Sequence, residues 1–305
     1  MMRILLIGGF GFLGRQFIEK FHSNYEIIVF NQNNNSEIFN IINSKNIIIE
    51  RGKIENNEIF QVMKKYKPDI TLHFAAMSGL KKCEENPFEA FVTNVIGTFN
   101  VTKACLAENS KLIFLSSREV YGETIKKESS EDDSLHPLNV YGITKMLAEN
   151  IILNFGKTHG LNFIILRLTN VYGPGGEKRG INRIINSALQ TGTIEINGGN
   201  QTLDLIYVDD VIDIINIILD NPNVSNQILN IGSNNTVTID ELSLIISDIL
   251  KHKIKIEYLP KIDYEVSYFK PDLKKWKNLF NQYNPINLED GLKKTIVEFT
   301  NQKIN

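Results

Sequence analysis

The chain has 305 residues, 42% hydrophobic and 22% charged, with Lys+Arg 33 against Asp+Glu 35. The length suits about two domains or one large one, the composition is that of an ordinary globular protein, and the balanced charge offers no basic field to nucleic acid. No apolar run approaches the roughly 18 residues of a membrane span, Ile4–Ile7 is too short for a secretion signal, and Cys83 and Cys105 form no metal-ligand pattern, so a cytoplasmic protein with reduced thiols, no metal and no membrane contact is expected.

Arg3–Ile7 is a continuous apolar run, the mark of a strand buried on both faces. Gly8-Gly9-Phe10-Gly11-Phe12-Leu13-Gly14 follows, then an amphipathic helix over 15–22. The glycines at 8, 11 and 14 fit G-x-x-G-x-x-G, and those at 9, 11 and 14 also fit G-x-G-x-x-G. Such a loop lets the backbone turn tightly against a pyrophosphate, while the helix N-terminus offers N–H groups and positive dipole. Between a first strand and a first helix it predicts a dinucleotide site.

Further strands are predicted over 26–30, 46–50, 70–75 and 112–115, alternating with helices over 57–66 and 87–108, the second entered through Pro87. That alternation predicts an α/β fold with a Rossmann-type, doubly wound parallel sheet covered on both sides. Ligands of such sheets bind at the carboxyl ends of the strands. Asn31-Gln32 stands at the end of the second strand, where an acidic residue usually grips the adenosine ribose; Asn can bond a ribose hydroxyl but lacks the charge that repels a 2′-phosphate, and no Arg follows it. Ala75-Ala76 ends the fourth strand, small enough for a cofactor to lie close.

Ser116-Ser117-Arg118-Glu119-Val120-Tyr121-Gly122 leaves the fifth strand at the binding edge, and 126–136 reads as a charged surface loop. A helix over 139–157 carries Tyr141-Gly142-Ile143-Thr144-Lys145, and the spacing sets Tyr141 and Lys145 on one face. A free tyrosine ionises near pH ~10; a neighbouring ammonium favours the phenolate. The pair can therefore take a proton from a substrate hydroxyl, with Ser117 as hydroxyl donor to the same oxygen. Phe163–Leu168 is a sixth strand. Beyond Gly176 the regular alternation stops: helices over 181–190, Val208–Leu219 and 288–300, strands over 193–196 and Gln227–Ile231, and a helix to Leu250 with Thr238 and Glu241 as a capping box. The division expected is a Rossmann domain over 1–172, with returning elements near 204–232, and a smaller α/β C-terminal substrate-binding domain over 173–305.

In this order, Gly8–Gly14, Ser117, Tyr141-x-x-x-Lys145, Leu166-Arg167-Leu168-Thr169-Asn170-Val171-Tyr172-Gly173-Pro174 and the segment 204–210 closely resemble the extended short-chain dehydrogenase/reductases that modify nucleotide sugars, the NAD-dependent epimerase/dehydratase family. The resemblance runs through Leu288-Glu289-Asp290-Gly291-Leu292. It implies NAD as cofactor (NADP not excluded), a nucleotide-diphosphate sugar as substrate and a homodimer. By position it implies Ser117, Tyr141 and Lys145 as a catalytic triad with Glu119 beside them. Gly8, Gly11, Phe12, Leu13, Gly14, Asn31, Lys53, Ile54, Phe74, Ala75, Ala76, Asn94 and Ser116 would then serve the cofactor together with Tyr141 and Lys145. Ser117, Asn170, Arg183 and Lys270 would meet the substrate.

Three positions depart from the family pattern. Asn31 and Lys53 each stand where an Asp is common, and Leu203 replaces an Arg that commonly binds the diphosphate, leaving Lys178, Arg179, Arg183 and Lys270 as candidate cations. Glu119, in Ser-x-Glu-Val-Tyr-Gly, is similar to the dehydratases and sugar-acid decarboxylases. The expected activity is oxidation of a sugar C4 hydroxyl to a 4-keto species, followed by epimerisation or dehydration. The alternatives are a 4-dehydrogenase or 4-ketoreductase with net redox and, more remotely, a non-catalytic NAD(P)-sensing protein. With no Arg after Asn31, NAD is expected to be preferred over NADP.

Overall fold

The computed structural model describes residues 1–33, 46–124, 128–176, 180–199, 201–281 and 284–301, so Lys178 and Arg179 lie outside the described residues. In chain order the elements are β1 (Arg3–Ile7), α1 (Phe12–Phe21), β2 (Glu26–Asn31), β3 (Ile47–Arg51), α2 (Glu58–Tyr66), β4 (Ile70–His73), α3 (Leu80–Glu85), α4 (Pro87–Phe91), a π-helical turn (Val92–Ile96), α5 (Gly97–Ala107), β5 (Lys111–Ser117), a tight helical turn (Arg118–Val120), α6 (Val140–His159) and β6 (Phe163–Leu168). There follow β7 (Asn170–Tyr172), α7 (Gly180–Thr191), β8 (Thr193–Asn197), β9 (Thr202–Tyr207), α8 (Val208–Leu219), β10 (Gln227–Ile231), β11 (Thr236–Thr238), α9 (Ile239–Leu250), β12 (Lys255–Leu259), α10 (Lys274–Phe280) and α11 (Leu288–Asn301).

Among the described residues one sheet has seven strands in the order β10-β6-β5-β4-β1-β2-β3. The pairs β5–β4, β4–β1, β1–β2 and β2–β3 are parallel. Ile4, Leu5, Leu6 and Ile7 of β1 are all within 1% of complete burial. At ~1.5–3 kcal/mol for each buried aliphatic side chain, that run stabilises only a strand covered on both faces. One covering layer joins Ile59, Val62 and Met63 of α2, Val101 and Cys105 of α5 and Ala148 and Ile152 of α6 to Leu5, Ile28 and Phe114 of the sheet. This is the doubly wound Rossmann-type α/β fold expected.

The chain divides into two compact units: Met1–Val120 with Val140–Arg167 and Asn221–Ile228, and Tyr121–Asn139 with Leu168–Asp220 and Leu229–Asn305. In the second unit β11-β9-β7 form a three-stranded sheet and β12-β8 a two-stranded one. Its interior includes Trp276 against Phe280, the rings tilted by 30° with centroids 4.3 Å apart. Thr238 caps α9 in a full capping box with Glu241, as its sequence signals.

The stretch 87–108, which reads as one helix, is three pieces: α4, the π-helical turn and α5. The extra residue in that turn changes which side chains face inward, a difference that apolar spacing does not announce. Strands β7, β9, β11 and β12 and helices α3 and α10 are additions to the predicted elements. Among the described residues no helix is long and apolar enough to cross a membrane.

Candidate active site

The glycine loop joins β1 to α1 through a tight turn. Gly8 has φ +83°, its N–H donates to Phe30 O at 2.9 Å, and Gly11 N–H donates back to Gly8 O at 2.9 Å. A Cβ at Gly8 would lie 2.7 Å from the Ala75 nitrogen, and one at Gly14 would lie 2.5 Å from Gly9 Cα. Only glycine meets both demands, the left-handed backbone at 8 and the close helix–loop approach at 14. Helix α1 begins at Phe12, with Gly11 providing no side-chain cap, so its first-turn N–H groups have no capping oxygen. Phe12 and Leu13 are half-buried in that first turn. Phe74 and Ala75, just past β4, both donate their N–H to Ile7 O, at 2.9 and 3.0 Å, which brings the Phe74-Ala75-Ala76 segment beside the loop. The cradle fits a dinucleotide pyrophosphate: bare backbone, a helix N-terminus and small neighbours.

Ser116 and Ser117 are the last residues of β5, which runs two residues beyond the predicted end. Ser117 Oγ accepts from Glu119 N–H at 3.2 Å. Arg118 and Glu119 are both buried, with their side chains paired at 2.9 Å. Tyr141 and Lys145 share one face of α6, with Lys145 Nζ 6.0 Å from the centre of the Tyr141 ring. The Tyr141 ring rests on a small cluster of Met77, Cys83 and Ala90. Lys145 is 3% exposed, donates to Leu115 O at 2.6 Å and stands 4.4 Å over the Phe114 ring. Burial pushes its pKa down to about 7, against the opposing pull of the Glu149 carboxylate. The carbonyl and the ring face both favour an ammonium, and so oppose the neutralisation that burial favours.

Beneath the pair lies a buried ionic network that the sequence reading left out. Glu149 accepts from Arg167 Nε at 3.2 Å to each oxygen and from Nη2 at 2.7 Å. Ser116 Oγ also donates to Glu149 Oε1, so this hydroxyl faces the carboxylate. Glu149 lies four residues after Lys145, the same helical spacing that links Tyr141 to Lys145, and that repetition was a usable signal. Asn94, in the π-helical turn, accepts from Met77 N–H at 2.8 Å and donates to Met77 O and Thr144 Oγ1, both at 3.0 Å. It thus ties the segment after β4 to the helix bearing Tyr141.

At the far edge of the same sheet, Asn31 Nδ2 donates to Asn33 O at 3.0 Å, and Lys53 is exposed. Ile54 is 5% exposed and packs against Gly97, where a Cβ would lie 2.5 Å from Ile54 Cδ1. In the second unit, Asn170 on β7 donates to Asp204 O at 3.1 Å, Arg183 is exposed on α7, and Lys270 pairs with Glu128 at 2.9 Å. The Glu128 hydrogen bond raises the Lys270 pKa. Leu203 is buried in β9 opposite Val237, a packing role in place of a cation. No group of three or more metal-ligating side chains occurs among the described residues.

The model of the "NAD dependent epimerase/dehydratase family" matches residues 4–232. A UDP-N-acetyl-alpha-D-glucosaminuronate decarboxylase of Bacillus cytotoxicus is 30% identical over 97% of this chain and 97% of its own length. Among solved structures, UDP-glucose 4-epimerase of Thermotoga maritima with UDP-glucose is 28% identical, with TM-score 0.89, over 99% of this chain and all (100%) of that one. Pal of Bacillus thuringiensis is 27% identical with TM-score 0.91 over 99% of this chain and 100% of that one.

Proposed function

The chain belongs to the NAD-dependent epimerase/dehydratase family, and from that premise we propose that it oxidises the C4 hydroxyl of a nucleotide-diphosphate sugar to a 4-keto species. The observation that carries this is the Tyr141/Lys145 pair on one face of α6, with Ser117 at the end of β5. Tyr141 accepts the hydroxyl proton as general base. Lys145, held by Leu115 O and Phe114, favours the Tyr141 phenolate. Ser117 Oγ donates to the developing carbonyl oxygen. NAD, when bound on the Gly8–Gly14 cradle, supplies the acceptor for the C4 hydride. Asn94 holds the segment after β4 against α6 while this happens.

In the second unit Asn170, Arg183 and Lys270 are our proposed ligands of the nucleotide diphosphate. Arg183 is the strongest of them, because Lys270 already has a carboxylate partner and Leu203 has no charge to offer. The enzyme is proposed to be cytoplasmic and homodimeric. Support for a dimer comes from a stripe of exposed apolar side chains, Phe88, Phe91, Ile96 and Phe99, along α4, the π-helical turn and α5, with Ile143 on α6.

Turnover of a panel of UDP- and dTDP-hexoses with NAD, with products identified by NMR, tests the activity. A C4-modified product is expected from at least one of them, and no change in any would contradict the reading. For a second step we propose Glu119, a carboxylate two residues beyond Ser117 and paired with Arg118. A 4-ketone acidifies the C5 proton, and Glu119 is our candidate to exchange it. In deuterated water the wild type should place deuterium on the product and Glu119→Gln should not. A wild-type product free of deuterium would favour simple epimerisation.

A further inference from the structure

The sheet edge at β2 and β3 carries a second specificity element. In doubly wound sheets, an acidic residue at the end of the second strand bonds the ribose 2′-hydroxyl, and an arginine near it accommodates a 2′-phosphate. Here the carboxylate is missing, because β2 ends in Asn31, which is turned to Asn33 O. The register pairs Asn31 with Arg51, the last residue of β3. Gln32, Asn33, Arg51, Lys53 and Glu58 are among the walls of a cavity of about 380 Å³ at this place.

Gly52 keeps the backbone low between the two cations, since a Cβ there would lie 2.7 Å from the Phe30 ring and 2.8 Å from Glu58 Cβ. Arg51 Nε donates to Gln32 O at 3.3 Å, which aligns the guanidinium along the cavity wall. Neither Arg51 nor Lys53 pairs with a carboxylate among the described residues. The nearby Glu50 is taken by Lys65 at 2.7 Å and Tyr66 at 2.5 Å, and Glu58 accepts from Asn56 at 3.4 Å. Among the described residues lining the cavity, two cations therefore stand with one carboxylate, beside a strand end that lacks the usual anion.

We propose that this cavity takes the 2′-phosphate of an adenosine ribose, so that the chain binds NADP as well as NAD, with Arg51 and Lys53 as the phosphate ligands. The proposal rests on the cofactor assignment above. The expectation of an NAD preference looked for an arginine after Asn31 in sequence, whereas the sheet delivers one from the neighbouring strand.

Calorimetric titration of purified protein with NAD and with NADP tests it. The wild type should bind NADP within tenfold of NAD, with a steeper loss of NADP affinity as salt rises. Arg51→Ala should weaken NADP about tenfold or more, the value of a charge-assisted hydrogen bond to the phosphate, and leave NAD within threefold. Retained NAD affinity also shows that the variant is folded. A wild type that binds NAD but takes NADP more than tenfold weaker overturns the proposal alone. Equal weakening of both nucleotides in the variant does the same. A wild type that binds neither overturns it together with the cofactor assignment.

Discussion

At Lys145 two demands oppose each other: the chemistry needs a cation beside Tyr141, while burial favours a neutral amine. Leu115 O, the Phe114 ring and the Glu149 carboxylate resist neutralisation, and the pKa comes to about 7. The unfolded lysine binds its proton up to about 10.5. The unfolded state therefore holds more protons than the folded one between about 7 and 10.5, and this residue's contribution to stability falls as pH drops through that window. We predict that NMR of the Lys145 Cε resonance in cofactor-free protein shows a titration near 7, shifted lower in Glu149→Gln; a titration in the ordinary lysine range would contradict it. The same substitution removes the carboxylate that faces the buried Arg167, at a cost of about 3–5 kcal/mol, so the double replacement Glu149→Met/Arg167→Met should recover most of the lost stability in denaturant melts.

Strand β4 shows the same physics with the opposite outcome. His73 is fully buried, Thr98 Oγ1 already donates to Asn94 O at 2.6 Å, and His73 Nε2 lies 3.0 Å from Thr98 Oγ1. Nε2 must then be the donor, leaving Nδ1 as a bare lone pair with no partner among the described residues. Protonation would create a buried N–H with no acceptor, so burial first and the Lys145 charge second push this pKa down to about 3. The unfolded chain binds more protons between about 6.5 and 3, so stability should fall as pH drops below 6.5. His73 should contribute about 1.4 kcal/mol per pH unit to that slope, a contribution lost in His73→Gln; equal slopes in the two proteins would contradict it.

How much could be read beforehand varied by element. β1 and the glycine loop were legible because four consecutive buried aliphatics and a glycine spacing have few other solutions. α9 was legible because its capping box is local chemistry. The break at Val92–Ile96 was not, because an inserted residue changes facing without changing composition, and it is what carries Asn94 inward to Met77 and Thr144. Arg51 was missed for a related reason: its place beside Asn31 depends on the register of β2 and β3, which no spacing along the chain encodes.

On the scale of the whole molecule, the chain leaves the Rossmann unit at Tyr121–Asn139, returns, leaves again after Arg167 and comes back for Asn221–Ile228. The catalytic candidates Ser117, Tyr141 and Lys145 all belong to the first unit, and Asn170, Arg183 and Lys270 to the second. The apolar stripe survives the π-helical turn because the step from Phe91 to Ile96 is five residues while its other two steps are three each, which keeps all four side chains outside. Phe88→Glu/Phe99→Glu should convert a dimer to monomers in sedimentation velocity, and a wild type that sediments as a monomer would remove this interface. The central claim is that Tyr141 removes a proton from a nucleotide-sugar hydroxyl as its hydride leaves. It is tested most directly by rapid mixing of NAD-loaded enzyme with an accepted nucleotide sugar while nicotinamide reduction is followed by absorbance. Wild type should show a reduction transient, slowed at least ~100-fold in Tyr141→Phe with NAD affinity unchanged; reduction at the wild-type rate in Tyr141→Phe would contradict the claim.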